Sequence, residues 1–419
     1  MNPERQWNRK RRLRRWARKL SLAFLFLALN AAAAVAQTSG PSVHADGSAI
    51  LAPNVSTASL DRAIALAADY FERTCSEDGR FVYRVQTDSG NESRSYNIIR
   101  HAGAIYALGM LNRSDPDEQT VKAMDRAAQF MRLNYIGPGV RPGQLVVWSK
   151  PLPMASTAEL GATGLGLVAL AAIKKAEPNS VPLEQLQSLG RFLLFLQRSD
   201  GSFISKYREE TGADPSFESL YYPGEAALGL ISLYEIDRSA VWLNAAARAL
   251  SYLARSRAGQ IEVPPDHWAL IATARLLPLY ARSNSPASRQ ELIQHAIQIC
   301  HVLMKNQIRN PVGQGLDGSF DPSGRTAPTA TRMEGLLAAL EFLPPSPLRG
   351  SIKICIDHGI GFLIRTQFRY GPYSGGVPAA YVQGTSGSTD IRIDYVQHAL
   401  CAWLRYRELM ESSEGIRRH

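Results

Sequence analysis

Ionisable and aromatic side chains recur at six places, each where a small-residue apolar stretch begins. The six starts read Asn97-Ile-Ile-Arg100-His101, Ser156-Thr-Ala-Glu159, Tyr222-Pro-Gly-Glu225, Pro265-Asp266-His267, Thr331-Arg332-Met-Glu334 and Asp394-Tyr-Val-Gln397-His398. Two carboxyls on separate elements are what glycoside hydrolysis needs, one as proton donor and the other as base or nucleophile. Glu225 and Asp266 form the expected pair, with Asp394 as a substitute for either and His398 completing the catalytic set. Tyr221 and Tyr222 beside Glu225 suit stacking on a sugar ring, and Arg100, His101, His267 and Arg332 complete the expected substrate-binding set. The same residues also fit a uronate lyase or C5-epimerase, in which a base removes a proton beside a carboxylate that a cation neutralises. His101, His398 or Tyr222 would then be the base and Arg100 or Arg332 the cation. A non-catalytic reading is a glycan-binding scaffold, whose mouth is polar only because helix caps are polar.

Capping explains part of this pattern without chemistry. Ser156-x-x-Glu159 and Thr331-x-x-Glu334 match capping boxes, in which the glutamate bonds back to the cap N–H. Asp394-x-x-Gln397 is a relative of that pattern, and Pro223 suits a first helical position. Glu159 and Glu334 are therefore expected to be caps. Capping does not account for His101, His267 and His398, which recur beside three of the starts. A single core histidine is usually just hydrogen-bonded there, but three together favour a cleft.

The elements that must position these residues are helices. Apolar spacing near 3.6 residues predicts amphipathic helices over 60–73, 120–134, 183–196, 240–255, 289–306 and 352–366. The stretches that follow the six starts are apolar or small on nearly every side, as in Gly161-Ala162-Thr163-Gly164, which suits helices buried all round. Six hairpins with no polar capping hairpin at either end predict a closed all-α (α/α)6 toroid. Every inner helix would then present its N-terminus, with unpaired N–H donors and partial positive charge, at one face. Between outer and inner helices sit near copies of one turn: Asp78-Gly79-Arg80-Phe81, Asp200-Gly201-Ser202-Phe203 and Asp317-Gly318-Ser319-Phe320, with Ser374-Gly375-Gly376 as a weaker fourth.

Gln197-Arg-Ser-Asp200-Gly201-Ser202-Phe203 resembles the glutamine–aromatic repeat of the squalene and terpene cyclases, with Phe where that family often has Trp. Gln307 and Gln367 also end outer helices. From about residue 59 to 407 the chain resembles the six-hairpin α/α toroid superfamily, which includes six-hairpin glycosidases, polysaccharide lyases, a glucuronyl C5-epimerase domain and terpene cyclases. The resemblance implies a fold and leaves the chemistry open. A terpene cyclase-like lipid-processing protein would need an aspartate-rich acid motif, which is missing, and would show a deep apolar tunnel. Zinc-using toroids would need a second Cys/His cluster to match Cys300-His301, and the sequence has none. No Gly-x-Ser-x-Gly elbow or phosphate loop occurs. No cofactor and no metal ligand is assigned, metal dependence through carboxylates and histidines stays open, and the expected partner is a polysaccharide or oligosaccharide.

Hydrophobic residues at 45% and charged residues at 20% describe an ordinary globular chain with a large core. Residues 1–36 hold nine Lys/Arg against one Glu, so they carry +8 of the net +10. The remainder, near neutrality, gives no reason to expect nucleic acid as a partner. A basic run over 9–19, an apolar run over 20–36 and Ala34-Val35-Ala36 have the layout of a secretory signal. Cleaved, it leaves a periplasmic or extracellular protein; uncleaved, it anchors the protein to the inner membrane, its one contact with lipid. Residues 37–56 read as a flexible lead-in, 57–410 as the toroid and 411–419 as a polar tail. Cys75, Cys300, Cys355 and Cys401 read as free buried thiols rather than a disulfide scaffold, although a Cys300–Cys355 bridge is compatible with their placement on consecutive outer helices.

Overall fold

The computed structural model describes residues 55–417, apart from 155, 310–314 and 382–388. Twelve α-helices lie among the described residues, alternating between two rings. The outer ring is α1 (Thr57–Thr74), α3 (Glu118–Tyr135), α5 (Leu183–Leu196), α7 (Ala240–Ser256), α9 (Arg289–Met304) and α11 (Pro347–Thr366). The inner ring is α2 (Ile98–Ser114), α4 (Leu160–Ala176), α6 (Tyr222–Asp237), α8 (His267–Leu276), α10 (Thr326–Leu340) and α12 (Ile393–Arg417). Each inner helix packs on the next, and α12 returns to α2, so the toroid is closed.

Composition separates the rings. On α3 the buried residues Ala123, Met124, Ala127, Ala128 and Met131 form one stripe, so the helix covers the core from one side. By contrast α4 buries thirteen of its seventeen residues. Glycine lets the inner backbones touch: a Cβ on Gly164 would lie 2.8 Å from the backbone nitrogen of Ala226 on α6.

The repeated turns stitch neighbouring outer helices together. Gly79, Gly201 and Gly318 adopt φ of +85°, +94° and +92°, and a Cβ would come within 1.9, 2.4 and 2.0 Å of the carbonyl oxygens of Arg126, Arg248 and His358. Each carbonyl belongs to the next outer helix along the chain. The glutamines that end these helices reinforce the contact. The Nε2 of Gln197 donates to Ala245 O at 2.8 Å, that of Gln307 to Cys355 O at 2.8 Å and that of Gln367 to Ala63 O at 2.9 Å. Gly375, in the weakest sequence copy, packs on Leu66 O of α1 and so completes the outer ring.

Two expected caps are corrected. Helix α10 begins at Thr326, five residues before Thr331, so Glu334 lies well inside it and is wholly buried. Residues Thr157–Glu159 pair antiparallel with Lys206–Arg208 before α4 starts, and Glu159 makes no side-chain cap. A complete capping box occurs instead at Ser288 and Glu291 of α9, while Asn97 and Asp266 cap α2 and α8. Pro223 sits in the first turn of α6 as expected. All four cysteines are free and buried. The signal or anchor over 1–36 lies outside the described residues, among which no helix is long and apolar enough to cross a membrane.

Candidate active site

Two adjoining cavities of about 240 and 260 Å³ open at the N-terminal ends of the inner helices, and they share Tyr221, Thr331, Asp394 and His398. All six inner helices or the loops entering them contribute to the walls, including Arg100, Leu165, Glu225, His267, Arg332 and Gln397. A larger hollow of about 370 Å³ lies at the opposite ends of α2, α4 and α6. Its cations are already matched: Lys175 and Arg275 pair with Glu235, and Arg113 with Glu408. Glu225, His267 and Arg332, none of which has an ion-pair partner among the described residues, gather at the N-terminal end, where we place the site.

Its centre is a meeting of three helices. The Nδ1 of His398 (α12) and Oε1 of Glu334 (α10) are 2.6 Å apart, and the ring of His398 lies edge-on to that of His267 (α8) with centroids separated by 5.6 Å. A carboxylate oxygen can only accept, so in a bond to the Glu334 carboxylate Nδ1 of His398 is the donor. His267 is 2% exposed, yet neither of its ring nitrogens has a hydrogen-bond partner among the described residues. Burial, with His398 beside it, holds His267 well below the usual histidine range, so the ring is neutral at neutral pH. Tyr221 and Trp268 flank it, with ring centroids 5.3 and 5.0 Å away.

Glu225 enters from α6. Gly161 makes room for it: a Cβ there would lie 2.1 Å from Glu225 Oε2. That oxygen is buried and has no partner among the described residues. Burial, then the nearby carboxyls of Asp266 and Glu159, push Glu225 up to about 8, which keeps it protonated at neutral pH. Asp394 is held by two cations, with Oδ2 2.9 Å from Arg392 and 3.2 Å from Arg100. Arg332 is anchored differently. It donates to the carbonyls of Val302 and Leu303 at 3.0 and 2.8 Å and lies 4.7 Å over the Phe320 ring, without a carboxylate partner among the described residues. Tyr222 lines the wall, and burial raises its hydroxyl above the ordinary tyrosine range.

Two of the expected residues are not brought into the cavities. Asp266 is wholly buried: one oxygen accepts from Ala269 N–H at 3.0 Å and the other from Arg257 at 3.1 Å. Burial raises its pKa to about 6, with Arg257 and the cap N–H opposing. His101 is also fully buried, each ring nitrogen 2.8 Å from a partner, Tyr96 hydroxyl and Ala127 O, and its ring packs against Phe81 and Phe130. It ties α2 to α3 beneath the first Asp-Gly turn. Sequence reasoning missed Trp268, read Gln397 as part of a capping pattern, and favoured a cap over a catalytic role for Glu334. Pro328 was the available signal for Glu334, since proline suits a first turn and places the start of α10 upstream.

No protein-family model matches the chain, and no curated protein matches it. Solved structures do. Cellobiose 2-epimerase from Bacillus thermoamylovorans B4167 superposes with a TM-score of 0.62 at 13% identity, covering 84% of this chain and 98% of that one. A D-mannose isomerase gives 0.60 at 11%, over 83% and 97% of the two chains. A GH76 α-mannanase from Bacteroides thetaiotaomicron gives 0.56 at 12%, over 84% and 97%. What this chain shares with them is architecture: it is an (α/α)6 toroid of the six-hairpin kind.

Proposed function

We propose that the protein is a carbohydrate-active enzyme that moves a proton at a sugar carbon beside a carbonyl or carboxylate, as an epimerase or isomerase does. The observation that carries this reading is the facing pair His267 and His398, one ring neutral and unpartnered, the other bonded to a buried carboxylate. Neutral His267 takes the proton from carbon, and the electron pair moves into the adjacent carbonyl to give an enediolate. Glu225, protonated, donates a hydrogen bond to the developing oxyanion. His398 enters the cycle as the imidazolium, its charge offset by Glu334, and gives its own ring proton to carbon from the opposite face, which inverts the centre; the proton taken up by His267 then exchanges with solvent. The sugar epimerase and isomerase toroids among the similar structures support the reading by analogy of fold only.

Hydrolysis by the pair first expected is less well supported, because both oxygens of Asp266 are engaged away from the cavities. A hydrolase built from protonated Glu225 as acid and Asp394 as its partner is the second reading, favoured by the raised pKa of Glu225. The ionisable groups in the walls, among them Arg100, Glu225, Arg332 and Asp394, count against a lipid-processing role, and the unpartnered buried nitrogens of His267 against a passive scaffold. The test is a product assay on purified protein with reducing disaccharides and uronate oligosaccharides. Epimers or keto isomers, or an unsaturated uronate, support proton transfer; newly freed reducing ends alone support the hydrolase.

A further inference from the structure

We propose that His267, Glu334 and His398 also form a binding site for one divalent transition-metal ion. One donor atom from each residue lies within 4.8 Å of the others. A small divalent ion with nitrogen and oxygen ligands at about 2.1 Å holds them roughly 3.4 Å apart, so small side-chain rotations close the set. The independent observation is the state of the donors. Both ring nitrogens of His267 and Oε2 of Glu334 are buried and without hydrogen-bond partners among the described residues. Buried polar atoms are ordinarily paired, and unpaired ones that converge are what a cation would satisfy.

The ligand chemistry selects the ion. Two imidazoles and one carboxylate suit zinc, cobalt or nickel, whereas magnesium and calcium prefer sets of oxygen alone. The three residues come from α8, α10 and α12; His267 and His398 line the cavity, and Glu334 lies buried behind them. Binding releases to solvent the proton that lies between His398 and Glu334. It also occupies the lone pairs that proton transfer requires, so the ion is a reversible inhibitor of the activity proposed above. That consequence rests on the proposed function; the binding itself does not.

Calorimetric titration of Zn²⁺ into the chelator-treated full chain, without sugar, tests the site. The expected result is one equivalent bound, no saturable binding of Mg²⁺, and at least tenfold weaker Zn²⁺ binding in both His267→Gln and Glu334→Gln, each checked for native circular dichroism. His301→Ala, on the exposed face of α9, serves as the control and retains full binding. Absence of saturable Zn²⁺ binding, unchanged affinity in both site variants, or loss of binding in His301→Ala overturns the proposal. A chain that binds zinc yet converts no sugar refutes the enzymatic reading alone, and one that converts sugar in chelator yet binds no zinc refutes the metal site alone.

Discussion

Glu334 and His398 are joined by a 2.6 Å hydrogen bond although 64 residues separate them in the chain. The bond sets which histidine nitrogen carries the proton, and the carboxylate offsets the charge of the ring when it is doubly protonated. Glu334→Gln keeps the shape and removes the charge. We expect kcat to fall by roughly 10²-fold, in the range of lost acid–base assistance, with KM within a fewfold of wild type. Steady-state kinetics on the converted sugar checks this, and an unchanged kcat would show that the pair is structural.

Glu225 gives a pH signature. Its pKa is near 8 in the fold against about 4.5 unfolded, so the folded state favours the proton. Below the unfolded value both states are protonated and the group is neutral for stability. As pH rises from about 4.5 to 8, ionisation of the unfolded state increasingly destabilises the fold, by a few kcal/mol at most on the order-of-magnitude scale. Glu225→Gln is therefore expected to be more stable than wild type at pH 8 and nearly equal at pH 4.5, as read by denaturant unfolding. Activity of the wild type should decline as pH rises through about 8, with the decline lost in the variant.

Asp266 separates support from chemistry. Asp266→Asn keeps an oxygen for the Ala269 N–H but leaves Arg257 buried without its ion pair. Breaking such a pair costs roughly 3 kcal/mol. The expected outcome is a clear loss of stability with kcat per folded molecule within about threefold of wild type. A 10³-fold loss of kcat with unchanged stability would return Asp266 to the catalytic set.

The turn glycines predict a graded series. Gly318→Ala combines a left-handed φ with a Cβ placed 2.0 Å from His358 O, and should cost roughly 2–4 kcal/mol. Gly259 has φ +73° and nothing within 4 Å, so Gly259→Ala should cost only about 1 kcal/mol. Equal costs in chemical denaturation would remove the stitching role of the repeated turns.

The rings were legible in the sequence because their signals are local. Small residues around Gly161 to Gly164 and stripes such as Met124 to Met131 state burial directly, and the Asp-Gly turns state where chains reverse. The site was legible as a neighbourhood, since inner-helix starts must converge in a toroid. Roles within it were less so. Asp266 and Glu225 look alike in sequence, and only tertiary placement shows that one oxygen pair is engaged with Arg257 and the α8 cap while the other faces the cavity. Likewise Glu334 mimics a capping box three residues after Thr331, but the start of α10 at Thr326 turns it toward His398. His101 repeats the histidine pattern of the site and is taken up by Tyr96 and Ala127, partners from outside the motif.

Solvent isotope exchange tests the central claim most directly. Sugar incubated with the protein in deuterated water, in the presence of chelator, should gain one deuterium at the carbon beside the carbonyl or carboxylate, seen by proton NMR. His267→Gln and His398→Gln should each slow that incorporation by at least 10²-fold. Converted or cleaved sugar whose carbon-bound hydrogens are all retained by wild-type protein would contradict the account.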